Sequence, residues 1–192
     1  MNPWVLCAAA YVAGSIPFGI LLARAKGIDL RKVGSGNIGA TNVARAMGKG
    51  WAIAVLVADA AKGFVPVWLA RRFGMPAWAI AAAGGAAIIG HMFTVFLRGR
   101  GGKGVATSLG VALALSPLSA LIGFGAYVVV FATTRLSSLG SLVGIWTFAL
   151  LFVLREHATR PLTALALGAV SLVTLRHREN IARLVRGEEK RT

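Results

Sequence analysis

The sequence is poorest in cysteine and in acid: one Cys and six Asp or Glu stand against 21 Lys and Arg in 192 residues. Cys7, alone in an apolar run, excludes both a disulfide framework and a cysteine-based metal site. No charge-rich segment is long enough to build a second, soluble domain, and no internal repeat of the inverted-transporter kind is visible. No basic residue precedes the first hydrophobic stretch, Arg24 being the first positive charge, so that stretch reads as a spanning helix and not as a cleavable signal. What is present is apolar. The chain is 57% hydrophobic with a mean hydropathy of +0.73, and its apolar runs reach the length needed to cross roughly 30 Å of hydrocarbon. These features predict an all-α integral membrane protein, one transmembrane domain over 1–192. The net charge of +15 does not indicate nucleic acid, because the basic residues lie in loops between spans. Membrane lipids and an anionic substrate are the implied partners.

Helices are predicted over 3–23, 51–70, 76–97, 105–115, 117–133, 139–154 and 161–175: about seven transmembrane helices, one of them short. Sixteen basic residues fall on the side of the carboxyl terminus, and four, Arg71, Arg72, Arg155 and Arg160, on the other. The positive-inside rule then puts the amino terminus outside, and the carboxyl terminus with the glycine-rich loops in the cytoplasm. Asp59 and Lys62 share a face of the second helix, either as a functional intramembrane charge or as a mutually neutralising pair.

Two polar stretches interrupt the apolar runs. In Gly34-Ser35-Gly36-Asn37-Ile38-Gly39-Ala40-Thr41-Asn42, three glycines permit positive φ and let successive amides converge on an anion, with Thr41 or Asn42 capping a short helix behind them. Arg45, one turn on, can grip phosphate oxygens through two hydrogen bonds, while Ser35, Asn37 and Asn42 offer neutral donors. A dinucleotide fingerprint is rejected because Asp59 lies in a helix-length run and not at a strand end. Gly99-Arg100-Gly101-Gly102-Lys103-Gly104 repeats the logic, feeding a helix whose first turn holds Thr107. Leu97 and Gly104 stand where a Walker A loop needs Gly and Ser or Thr. Ser137, Ser138 and Ser141 open a helix at the same level. In the basic tail, His177 and Asn180 share a face that can turn inward to the site. His91 has no acid or cysteine at metal-ligand spacing and reads as structural, so no metal or cofactor is implied.

The blocks Gly34 to Asn42 with Arg45, Gly90-His91-Met92-Phe93, Gly101 to Thr107 and His177-Arg178-Glu179-Asn180-Ile181 together resemble the bacterial acyl-phosphate:glycerol-3-phosphate acyltransferase family, over nearly the whole chain. Gly99 departs from the bulkier residue the family places there. The resemblance implies a bacterial inner-membrane enzyme of phospholipid synthesis that moves a fatty acyl group from acyl phosphate to the 1-hydroxyl of glycerol 3-phosphate. Its products are lysophosphatidic acid and inorganic phosphate, and the acyl-phosphate-forming enzyme is a candidate partner. Under that reading Ser35, Arg45, Lys103, His177 and Asn180 serve catalysis. Gly34, Gly36, Asn37, Thr41, Asn42, Gly102, Gly104, Thr107, Ser138 and Ser141 complete the substrate pocket, with the assignment of loop to phosphate left open. The alternatives are a transporter or channel for organic phosphates, which needs access from both faces, and a non-catalytic lipid-binding protein.

Overall fold

The computed structural model describes residues 1–156 and 159–191 and contains helices and no strand among them. Five helical segments are long and apolar enough to cross a membrane: 3–24, 49–72, 77–97, 117–134 and 137–155. Two shorter helices, Val105–Leu115 and Arg160–Arg176, pack against them. Large apolar side chains such as Val57, Val129 and Leu154 are exposed, as side chains that meet lipid must be, while Val67, Ile88, Met92, Val111 and Val170 fill the interior.

The predicted first helix 3–23 is two helices, α1 (Pro3–Ser15) and α2 (Phe18–Arg24). Pro17 is the cause: it lacks an N–H and forces Ile16 to the extended ψ of 116°. Carbonyls freed at such a break inside a bilayer need donors from elsewhere in the protein. The Lys62 ammonium bonds the Ile16 carbonyl at 2.9 Å and the Thr94 hydroxyl bonds that of Ser15 at 2.5 Å.

After the first polar loop come α3 (Ala40–Met47) and α4 (Lys49–Arg72). Neither Thr41 nor Asn42 caps α3, contrary to the sequence expectation. Gly39 occupies the cap position, and both side chains lie inside the first turn with other partners. Next is α5 (Ala77–Met92), shorter than the predicted 76–97. Its last carbonyls, of His91 and Met92, are taken by the amides of Gly102 and Gly101, at 3.0 and 3.1 Å, because the chain turns back through a single 3-10 turn at Val95–Leu97. Then follow α6 (Val105–Leu115), α7 (Pro117–Thr134), α8 (Ser137–Arg155), α9 (Arg160–Arg176) and α10 (Arg178–Val185).

Small residues let these helices approach, as membrane interfaces require when lipid supplies no hydrophobic drive between them. A Cβ on Gly63 would lie 2.1 Å from the Thr107 carbonyl, and one on Gly110 1.8 Å from that of Ala60, so α4 and α6 meet backbone to backbone. Those contacts hold the amino end of α6 beside the first loop.

Candidate active site

Asn42 organises the first loop. Its Oδ1 accepts from the Ser35 amide at 3.0 Å, and its Nδ2 reaches the carbonyls of Leu30, Val33 and Asn37 at 3.1, 3.0 and 2.9 Å. The amide is spent on the backbone, which corrects the expectation that Asn42 donates to a phosphate. Gly34 is required here, since at φ 57° a Cβ would stand 2.4 Å from Asn42 Oδ1. Asn37 accepts from the Gly39 amide at 2.9 Å, and the Thr41 hydroxyl meets that of Ser137 at 2.9 Å, tying α3 to α8.

The second loop is fixed from three directions. Arg31 bonds the Arg100 carbonyl at 2.5 Å, and Arg176 bonds the carbonyls of Gly101 and Gly102, each at 3.1 Å. From beneath, the imidazole of His91 presses against Gly102, where a Cβ would meet Nε2 at 2.2 Å. That contact gives His91 a supporting role under the loop.

Between the loops lies a cavity of about 930 Å³. Gly34, Ser35, Asn37, Thr41 and Arg45 reach it from the first loop and α3, and Lys103 and Gly104 from the second. Ser138 and Ser141 arrive on α8, and His177 and Asn180 at the start of α10. Gly36, Gly102 and Thr107 do not line it. Gly36 and Gly102 shape the backbone behind the surface, and Thr107 is fully buried against Gly63. The cavity continues into an apolar part walled by Ala112, Gly123, Ile145 and Phe148. On α7 a ladder of rings, Phe124, Tyr127 and Phe131, forms one side, with neighbouring centroids 5.9 and 5.8 Å apart.

Two polar contacts set the chemistry of the head of this cavity. Lys103 Nζ bonds Asn180 Oδ1 at 2.5 Å. Burial, with Arg183 and Arg45 adding repulsion against the pull of Glu189 and Glu179, lowers Lys103 to about 8, so the ammonium is mostly charged at neutral pH. His177 Nδ1 lies 2.8 Å from the Val173 carbonyl, which makes Nδ1 the donor and leaves Nε2 as an acceptor. Burial and the Lys103 charge push His177 down to about 4, so the ring is neutral. Beneath the polar head, Asp59 and His91 also line the cavity, and Asp59 is paired with Lys62 at 2.7 Å.

Arg183 and Glu189 also line the site, and neither was expected from the sequence. Arg183 lies in a basic amphipathic helix of the kind that ordinarily anchors to anionic lipid, which hides a role in the site. The available signal was Gly187, two residues past α10, where a left-handed turn can send the tail back.

The chain is similar to known proteins over nearly its whole length. The sequence model described as glycerol-3-phosphate acyltransferase matches residues 4–187. A glycerol-3-phosphate acyltransferase of Anaeromyxobacter dehalogenans (strain 2CP-C) is 53% identical over 193 residues, covering 97% of this chain and 96% of its own. One from Aquifex aeolicus (strain VF5) is 45% identical, with both chains wholly covered. The crystal structure of PlsY, an integral membrane glycerol 3-phosphate acyltransferase, in its glycerol 3-phosphate form superposes with a TM-score of 0.94 at 43% identity. It covers 99% of this chain and 95% of the other. Its lysophosphatidic acid form gives 0.91 at 42% identity, with 98% and 94% covered. The protein is thus a multi-pass integral membrane acyltransferase, and the chain belongs to the glycerol-3-phosphate acyltransferase family.

Proposed function

We propose that this single transmembrane domain transfers a fatty acyl group from acyl phosphate to the 1-hydroxyl of glycerol 3-phosphate in the bacterial inner membrane. The observation that carries this reading is the joining of two basic glycine loops, the first bearing the Ser35 hydroxyl, to an apolar compartment in one cavity, which suits two phosphates and one acyl chain. Ser35, Arg45 and Lys103 hold phosphate oxygens, and Asn180 positions the Lys103 ammonium. Asn37, Thr41, Ser138 and Ser141 supply the polar wall, and the apolar part of the cavity takes the acyl chain. The hydroxyl oxygen attacks the acyl carbon and the bond from that carbon to the phosphate oxygen breaks. Lysophosphatidic acid and inorganic phosphate leave. Acyl phosphate carries a good leaving group, so positioning and charge stabilisation at the carbonyl oxygen suffice. Purified protein given acyl phosphate and radiolabelled glycerol 3-phosphate should yield label in the lipid extract. No label in that extract from folded protein would refute the reading.

Transfer is direct in this mechanism. An acyl-enzyme needs a nucleophile with an adjacent oriented base. His177 Nδ1 is held by a backbone carbonyl and not by a carboxylate, and the proton of the attacking hydroxyl passes to a phosphate oxygen, whose second ionisation lies at about 6. His177→Gln is therefore expected to retain measurable turnover, and protein denatured after incubation with labelled acyl phosphate alone should carry no acyl group. Label on Ser35, Ser138 or Ser141 that glycerol 3-phosphate chases into product would refute direct transfer.

The orientation follows from the distribution of basic residues. In a Cys7→Ala background, Lys26→Cys should be shielded from an impermeant maleimide in intact cells and Arg72→Cys should react, both positions being exposed. The opposite labelling would invert the topology and place the cavity's polar head outside.

A further inference from the structure

The polar head of the cavity holds an anion supplied by the chain itself. Glu189 Oε1 accepts the Ser138 hydroxyl at 2.7 Å and the Asn180 amide at 2.5 Å, and Oε2 accepts Arg183 Nε at 2.7 Å. Next to it, the Lys190 carbonyl lies 3.5 Å from Arg45 Nη2. The Glu189 side chain is 9% exposed, whereas Glu188, one residue earlier, pairs with Arg186 at the surface and is 59% exposed. Burial by itself would push the Glu189 carboxyl up. Hydrogen bonds from Ser138, Asn180 and Arg183, together with the Arg183 charge, outweigh burial and hold it below the usual carboxylate range.

The local sequence produces this placement. Past Val185 the chain reaches Gly187 at φ 69°, with the Gly187 amide on the Leu184 carbonyl at 3.1 Å and the Glu188 amide on that of Arg183 at 2.8 Å. This glycine-terminated helix end reverses the chain over α10. Glu189 is thereby returned to the helix that carries Asn180 and Arg183. A hydroxyl, a carboxamide N–H and a guanidinium N–H converging on two oxygens form the donor set that a phosphate also needs. Any phosphate bound by these three groups must displace the carboxylate.

We propose that Glu189 is an internal stand-in for a substrate phosphate. It plugs an anion subsite made by Ser138, Asn180 and Arg183, and the tail beyond Gly187 swings out when that subsite is used. This assigns Arg183 to phosphate binding. Naming the displaced ligand as a substrate phosphate rests on the acyltransferase reading above, whereas the plug itself does not. A plug lowers the apparent affinity by the fraction of chains that are open, so if between a third and a thirtieth are open, its removal tightens binding about three- to thirtyfold.

The test is calorimetric titration of the full-length protein in detergent with inorganic phosphate, and separately with glycerol 3-phosphate, without acyl donor. Glu189→Ala, and independently truncation after Gly187, should lower the Kd for phosphate by that factor. Glu188→Gln should leave it unchanged, and Arg183→Met in the Glu189→Ala background should weaken it. Structural damage does not tighten binding, so a gain in affinity separates displacement from a merely structural contact. An unchanged or weaker Kd in both tail variants, or no phosphate binding in any protein, overturns the plug. Acyl transfer by the wild type is measured alongside. Transfer with unchanged phosphate affinity in the tail variants would sink the plug and leave the reaction standing. Tightened phosphate binding without transfer would uphold the plug and sink the reaction.

Discussion

Lys103→Met is expected to lower kcat/KM for acyl transfer by roughly 30- to 1,000-fold while the protein stays folded. Lys103 carries a charge in a partly buried setting and bonds Asn180 at 2.5 Å. Removing one member of such a hydrogen-bonded charge contact to a phosphate costs about 2–4 kcal/mol, and each 1.36 kcal/mol is a factor of ten in rate. Lys103 also dictates a pH limb. Because its pKa lies at about 8 and the protonated form is the one that attracts phosphate, kcat/KM should fall tenfold per unit as pH rises above about 8. A lysine with the ordinary pKa near 10.4 would hold its rate for two units more. Lys103→Arg keeps its proton throughout and should remove that limb, even where its shape lowers the plateau. His177, lowered to about 4, contributes no limb near neutrality. A Lys103→Met enzyme within threefold of wild type would take Lys103 out of phosphate binding, and a wild-type profile flat to pH 10 would refute its lowered pKa.

Sequence periodicity and turn chemistry located most of the elements, for reasons visible in particular residues. Val105–Leu115 runs as predicted because Gly104 opens it and Ser116-Pro117 closes it, both local signals. The two glycine loops were legible because glycine density amid apolar runs has few other uses. Pro17 was equally visible, but a continuous hydrophobic run concealed that it ends one helix and starts another. The side-chain partner of the Ile16 carbonyl, Lys62, lies 46 residues away. Asn42 shows the limit of reading roles from residue type. An amide in an anion-binding loop can donate to a ligand or to the loop, and its three backbone carbonyl contacts decide for the loop. Thr107 faces α4 because Gly63 admits it there, a fact about helix packing that spacing along α6 does not contain. Glu189 was out of reach for the same reason. A charged tail reads as solvated until the Gly187 reversal and the position of α8 are both known.

The last expected result concerns the charge pair that supports the cavity from below. Lys62→Met should destabilise the protein by about 3–5 kcal/mol, the cost of leaving a buried charge without its partner. Both side chains of the pair are 4% exposed, with Lys62 Nζ 2.7 Å from Asp59 Oδ1. The ammonium also bonds the Ile16 carbonyl at 2.9 Å and lies 5.7 Å from the centre of the Phe18 ring. Methionine fills a similar volume and packs as well against Phe18, so the loss is electrostatic and hydrogen-bonded, not steric. It strands the Asp59 carboxylate beside His91, whose Nδ1 lies 3.7 Å away, and removes the charged donor at the Pro17 break, leaving the Ile16 carbonyl to the Phe18 amide. The double variant Asp59→Leu, Lys62→Met separates these two losses. It eliminates the stranded charge and leaves only the loss of the ammonium bond to the Ile16 carbonyl, which still accepts the Phe18 amide at 3.2 Å. A hydrogen bond to a charged group contributes about 1.5–3 kcal/mol. Thermal unfolding in detergent, followed by tryptophan fluorescence, should rank the wild type first, the double variant second and Lys62→Met last. If the single variant melts at or above the double variant, the pair is not what joins the α1–α2 break to α4, and the floor of the cavity must be held by the packing of Gly63 against Thr107 instead.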